Sequence, residues 1–191
     1  MTAVFFASLT CHHPLLSCWL VLTTAGPIHV SFLPGAHQHG MAELLTGRLL
    51  PPGATTPYRL VATNHPAIKA GAEQTRAELL AYLNGERREF TPLPPSPFMR
   101  AGTLWQQKVW RQLSKIPYGE TRTYGEIGAE LGSRRLARAV GSACGANPCP
   151  LLIPCHRVVA STGPGGFSGG GLAVKKSLLA LERDNSKRAR R

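Results

Sequence analysis

The sequence predicts an α+β (α/β) chain in two parts, a small sheet-and-helix domain followed by a mostly helical one. Three observations predict it. Short apolar runs separated by turn residues fill the first third, four prolines fall within residues 91–97, and beyond them apolar residues recur at three and four. At 191 residues the chain has room for two small domains. The division predicted is residues 1–97, including the proline-rich linker, then 98–184, then a basic tail at 185–191.

Residues 2–9, 17–24 and 28–33 read as short strands, the last two joined by a turn at Ala25-Gly26-Pro27. The apolar start does not read as a leader peptide. Its first Lys or Arg is Arg48, and His12-His13-Pro14 interrupts the apolar run. Apolar stretches are all broken before eighteen residues, so no membrane span is expected. Residues 34–57 are rich in Gly, Pro and Thr and read as loop, with a short helix at 41–45. Leu79, Leu80 and Leu83 predict a helix over 72–83 that stops at Asn84-Gly85.

After the prolines, Leu104, Trp105, Val109, Trp110 and Leu113 form a helical stripe, ended by Ile116-Pro117-Tyr118-Gly119. Tyr124, Ile127 and Leu131 share one face of a short helix. Gly132 stops it, and Ser133 is placed to cap the next, whose stripe is Leu136, Ala139, Val140 and Ala143. Arg135, Arg138 and Ser142 lie on the opposite face. Two short helices about a glycine turn fit a helix-turn-helix, and equally a helical hairpin with a basic side. Gly141, Ser142 and Gly145 would let the second helix approach another backbone closely.

Charge is unevenly placed. Residues 1–99 carry six Lys/Arg and five acids, net +1; residues 100–191 carry sixteen and five, net +11. This asymmetry points to a polyanion bound by the second half. The plainer alternative is a solvated basic surface ending in Lys187-Arg188-Ala189-Arg190-Arg191. Five cysteines without framework spacing predict free thiols in a reducing compartment.

The chemistry concentrates in Ile153-Pro154-Cys155-His156-Arg157-Val158, where His156 is the only histidine after His65. A thiolate attacks electrophiles, and a neighbouring imidazole or helix N-terminus lowers a cysteine pKa. Neighbours on a strand point to opposite faces, so Cys155 and His156 cooperate only if the backbone turns there, which Pro154 favours. A lone cysteine is more often a small core hydrophobe. Arg157 immediately after it argues against a plain core strand.

Six ordered motifs then carry a resemblance. They are Gly102-Thr103-Leu104-Trp105-Gln106, Ile116-Pro117-Tyr118-Gly119-Glu120-Thr121, Thr123-Tyr124-Gly125-Glu126-Ile127, Arg138-Ala139-Val140-Gly141, Asn147-Pro148 and Pro154-Cys155-His156-Arg157-Val158. From about Ala101 to Glu182 the chain resembles the O6-alkylguanine-DNA alkyltransferases, and more weakly back to Ala72 through Leu80-Ala81-Tyr82-Leu83-Asn84-Gly85. The resemblance implies a ribonuclease-H-like N-terminal domain and a DNA-binding, alkyl-accepting domain with a helix-turn-helix over 98–184. It implies irreversible single-turnover transfer of the alkyl group from O6-alkylguanine in double-stranded DNA, with O4-alkylthymine left open, after nucleotide flipping. Cys155 would be the acceptor, His156 its base through a water, and Glu182 the group that orients the imidazole. Asn147 would brace the turn before the active segment, and Tyr124 would hydrogen-bond the purine and assist departure of the guanine. Arg138 would hold the place of the flipped nucleotide. Arg135, Ser142, Thr123 and Arg157 are the further DNA-contacting candidates. Val158, Phe167, Ser168 and Gly169 are the substrate-pocket candidates. The implied partner is lesion-containing DNA, with no cofactor, no membrane and a monomeric chain. The location implied is cytoplasmic and DNA-associated, or nuclear in a eukaryote.

Residues 162–171 match the family's pocket loop but carry Ser168 and Gly169 where members often have a bulky aromatic or an arginine. That predicts tolerance of groups larger than methyl. Zinc is not expected: His29 falls near a family ligand position, but Thr24 stands where a cysteine would be needed. Cys11, His12, His13 and Cys18 show no C-x-x-C spacing. Cys144 and Cys149 read as core thiols. Three competing functions are weighed. A non-catalytic lesion sensor of the same fold typically replaces the reactive cysteine. A thiol hydrolase leaves the basic half unexplained. A plain helix-turn-helix regulator has no need of Pro154-Cys155-His156-Arg157.

Overall fold

The computed structural model describes residues 4–14, 17–23, 26–32, 58–91 and 102–188. The chain divides into two compact units, Met1–Ala101 and Gly102–Arg191. The predicted helix at 41–45, the loop around it and the four prolines lie outside the described residues.

In the first unit, β1 (Val4–His12), β2 (Ser17–Thr23), β3 (Gly26–Ser31) and β4 (Tyr58–Leu60) form one sheet in the order β3-β2-β1-β4. The first three strands pair antiparallel, and β4 runs parallel to β1. The period of two along a strand puts Ala7, Leu9 and Cys11 of β1 into the core beside Cys18, Leu20 and Leu22 of β2. Helix α1 (Lys69–Leu83) packs on β1 and β3 and buries Ala72, Leu79, Tyr82 and Leu83. It ends as the sequence predicts, with Gly85 at φ 78°. The alternation continues past Leu9, so β1 reaches His12. Helix α1 starts at Lys69, before the first apolar residue of its stripe.

In the second unit, α2 (Leu104–Leu113) starts at a capping box. Thr103 Oγ1 accepts from Gln106 N, and Gln106 Oε1 accepts from Thr103 N. Val109, Trp110 and Leu113 are buried, but Leu104, assigned to the same stripe, is 77% exposed. Helical side chains lean toward the N-terminus, so a first-position residue projects past the end of the packed face. Two indoles tie α2 to α4 (Ala137–Gly145): Trp105 Nε1 donates to Ala139 O at 3.2 Å and Trp110 Nε1 to Ala143 O at 2.8 Å.

Helix α3 (Tyr124–Glu130) follows a two-residue strand, β5 (Arg122–Thr123), which lies parallel to β6 (Val158–Val159). Gly132 turns the chain at φ 118°, and Ser133 Oγ accepts from Arg135 N to start the 3-10 turn Arg134–Leu136 that leads into α4. The close approach of α3 to this turn falls on Gly128, where a Cβ would sit 2.8 Å from Ser133 O.

The last helix, α5 (Gly171–Arg188), corrects the tail assigned to residues 185–191. Asn185 Nδ2 donates to the Tyr118 hydroxyl at 3.2 Å. Ser186 packs so closely on Gly119, itself at φ 79°, that a Cβ there would fall 2.1 Å from Ser186 Oγ. These contacts extend the helix through residues that charge alone would place in solvent.

Candidate active site

Pro154 ends the approach to the site, and a single 3-10 turn, Cys155–Arg157, brings three successive side chains into the core. The backbone turn that cooperation between Cys155 and His156 requires is therefore present. Just upstream Leu151 holds φ 77° with its side chain buried. For a branched residue that conformation costs on the order of 1–2 kcal/mol, so packing holds it.

Asn147 follows the end of α4 and makes three bonds with one amide. Its Nδ2 donates to Ile153 O at 2.8 Å and to Cys155 Sγ at 3.0 Å, and its Oδ1 accepts from Cys149 N at 3.0 Å. These bonds join the end of α4 to Cys149, Ile153 and the Cys155 sulfur. Cys155 itself departs from one expectation. Burial pushes its thiol up to about 11, opposed by the Asn147 hydrogen bond and the charge of Lys175. At neutral pH it rests as the thiol, which is a poorer nucleophile than the thiolate. Burial also pushes Cys144 and Cys149 up to about 12, so both rest as thiols at pH 7.

The next residue carries the imidazole. His156 Nε2 lies 2.8 Å from Glu182 Oε1, both side chains wholly buried. Burial lowers the His156 pKa against the pull of Glu182, so the ring is neutral at pH 7. Burial alone would raise Glu182, but His156 and Arg157 hold it at about 2. A carboxylate only accepts, so the ring proton belongs on Nε2, and Nδ1 carries the basic lone pair.

Arg157 is a correction. Expected to contact DNA, it is buried with its guanidinium committed inward. Nε and Nη2 donate to the Glu182 carboxylate at 2.9–3.0 Å, and Nη1 donates to Ile116 O at 2.7 Å. Gly119 N adds a further bond to Glu182 Oε2 at 2.9 Å. A charged carboxylate in the core needs this set of donors, which is why the arginine next to the site turns inward.

Tyr124, half-buried, donates to Gly166 O at 3.4 Å. A Cβ on Gly165 would lie 2.9 Å from its hydroxyl oxygen. Lys175 was not singled out by the sequence analysis. Its Nζ donates to Val158 O at 2.5 Å and Gly166 O at 3.0 Å and sits 5.9 Å from the Tyr124 ring centroid. It ties β6 to the 162–171 loop beneath the tyrosine. A signal existed: Lys175, Leu178 and Glu182 recur at three and four along α5 and are its buried residues, so the lysine lies on the core stripe.

In the pocket loop, Phe167 is half-buried and Ser168 is exposed, its Oγ donating to Gly145 O at 3.1 Å. Gly169 is closely packed, since a Cβ there would lie 2.9 Å from Phe167 and 3.0 Å from Pro150. Arg135, Arg138 and Ser142 are exposed along the Arg134–Leu136 turn and α4. Thr123 is half-buried, and its hydroxyl caps α3 by accepting from Glu126 N. Among the described residues no three His, Cys, Asp or Glu side chains are grouped to hold a metal ion. No described helix is long and apolar enough to cross a membrane.

A buried thiol held by an amide and followed by an imidazole clamped to a carboxylate defines a protein that does covalent chemistry through one cysteine. The model of the 6-O-methylguanine DNA methyltransferase DNA-binding domain matches residues 104–184. A methylated-DNA–protein-cysteine methyltransferase of Mycolicibacterium paratuberculosis is 42% identical over 147 residues, 77% of this chain and 85% of that one. The constitutive enzyme of that name from Bacillus subtilis is 40% identical over 111 residues, 58% of this chain and 65% of that one. The crystal structure of Mycobacterium tuberculosis OGT in complex with DNA superimposes with a TM-score of 0.67 at 31% identity, covering 95% of this chain and 94% of that one. The chain belongs to the methylated-DNA–protein-cysteine methyltransferase family.

Proposed function

We propose that this protein repairs O6-alkylguanine in double-stranded DNA by moving the alkyl group to Cys155 in a single, irreversible turnover. The observation that carries the reading is a pair of hydrogen-bonded sets meeting on one 3-10 turn, Asn147–Cys155 and His156–Glu182–Arg157, in a member of this family. His156 Nδ1 takes the thiol proton through a water, and Glu182 stabilises the imidazolium that forms. The Cys155 sulfur attacks the alkyl carbon, the carbon–O6 bond breaks, and its electron pair stays with the guanine. Tyr124, whose pKa burial raises, keeps its proton for donation to the departing purine. The product is a thioether, and the step balances without a cofactor.

The electrophilic carbon is poorly reachable inside a duplex, so the nucleotide is flipped, at a cost on the order of a few kcal/mol. The α3–α4 pair is read as the DNA-binding helix-turn-helix, with exposed Arg138 filling the vacated place and Arg135 and Ser142 beside it. The sheet order β3-β2-β1-β4, three antiparallel strands and then a parallel one, supports the ribonuclease-H-like reading of the first unit. Intact-protein mass after mixing with a duplex holding one O6-methylguanine tests the reaction. Wild type gains about one methylene and Cys155→Ala gains none. Tight lesion binding without mass gain would mean a sensor instead.

A further inference from the structure

The first unit holds two cysteines that the alkyl-transfer reading does not use. Cys11 on β1 and Cys18 on β2 are direct partners in the antiparallel register. Both side chains point into the core, 1% and 2% exposed, and the two thiols share a hydrogen bond. Directly opposed residues in an antiparallel pair have Cα atoms about 4.5 or 5.5 Å apart, and both spacings fall within the range that a disulfide spans. The pair lies one rung from the end of the hairpin. The closing rung is His12–Ser17, and both of those residues are exposed. Opening that single rung, a small local event compared with unfolding, brings the thiols to solvent.

We propose that Cys11 and Cys18 are an oxidisable dithiol that closes to an intramolecular disulfide with peroxide as the oxidant. Cys11 is the attacking sulfur. Its hydrogen bond from Cys18 lowers it to about 7, against the effect of burial and with help from the Arg76 charge, while the same bond raises Cys18. The Cys11 thiolate attacks one peroxide oxygen, the O–O bond breaks, and hydroxide leaves to take up a proton as water. Cys11 is now a sulfenic acid. The Cys18 sulfur attacks the Cys11 sulfur, the S–O bond breaks, and the hydroxyl leaves with the Cys18 proton as a second water. Two thiols are oxidised to one disulfide and one peroxide is reduced to two waters. The strand register makes the second thiol immediate, so oxidation stops at the disulfide rather than climbing to sulfinic acid.

The test uses the full-length reduced protein, titrated with hydrogen peroxide, then denatured, blocked with N-ethylmaleimide and cut with trypsin. Cleavage puts Cys11 and Cys18 in peptide 1–48 and the other three cysteines in peptide 139–157. The expected result is a peptide 1–48 that has lost two hydrogens and takes no maleimide, at peroxide doses that leave 139–157 able to take three. In Cys18→Ser the two-hydrogen loss disappears and Cys11 gains oxygen instead. Two maleimides on peptide 1–48 at every dose, or a disulfide linking two chains, would overturn the proposal. Alkyl transfer to Cys155 is read on the same samples and does not enter the outcome.

Discussion

Asn147 shows how much one buried side chain does for the site, because its three partners are a carbonyl, an amide N–H and the Cys155 sulfur. Asn147→Ala leaves Cys149 N unpaired in the core and removes one of the two donors to Ile153 O. We expect a loss of about 1–3 kcal/mol in denaturant unfolding and a slower alkyl transfer. Asn147→Asp keeps the volume but loses the donor to sulfur and sets a negative charge beside a thiol already raised by burial. Its transfer rate should fall further than its stability, which single-turnover kinetics beside unfolding curves will separate. The histidine carries a pH dependence whose direction follows from burial. The unfolded chain protonates this ring near pH 6.5 and the folded chain only below that. Stability is therefore complete above about 6.5 and declines as pH falls through that value. Glu182, at about 2 when folded and 4.5 otherwise, adds a second loss as pH drops from 4.5 toward 2. Thermal midpoints measured from pH 8 to 4 should start to fall near 6.5, and His156→Gln should flatten that first descent. A midpoint flat down to pH 5 in wild type would contradict the neutral buried ring.

Among the elements, α3 and α4 are set by small residues at their nearest point. Gly128→Ala would place a Cβ 2.8 Å from Ser133 O and 3.3 Å from Ala137 N, both backbone atoms that cannot swing aside. The turn must shift, and we expect lower stability together with weaker duplex binding. A variant of ordinary stability and affinity would show that this approach is not required. These helices were legible because their signals are local: apolar residues at three and four, a glycine after the last turn, a serine before the next. The first three strands were legible as short apolar runs between turn residues. The end of α5 was not, because what orders Asn185 and Ser186 is Tyr118 and Gly119, far away in sequence. The inward turn of Arg157 was hidden for the same reason. An arginine beside a reactive cysteine in a basic half reads as a phosphate ligand until Glu182 is seen to need its donors. Lys175 lay on a readable stripe, but a lysine is seldom taken for a core residue.

For the whole molecule, the question is what the charge asymmetry does. A chain with +11 in residues 100–191 and +1 before them binds a polyanion through its second half by releasing counterions. Duplex affinity should therefore fall steeply with salt. Arg135→Ala should weaken all sequences alike and reduce the slope of log affinity against log salt by about one, provided the guanidinium meets phosphate. Arg138 is assigned a different task, and the two substrates of the same thiol distinguish it. A free O6-benzylguanine needs no flipping and reaches Cys155 through binding in the pocket alone. A lesion in a duplex must first leave the stack, and the exposed side chain that fills its place stabilises only that state. Arg138→Ala should slow transfer from the duplex at least tenfold, corresponding to about 1.4 kcal/mol, while leaving transfer from the free base within a factor of two or so. Equal slowing of both would move Arg138 from flipping to the support of the pocket. No effect on either would make the basic face of α4 a solvated surface, and the polyanion would have to be held elsewhere.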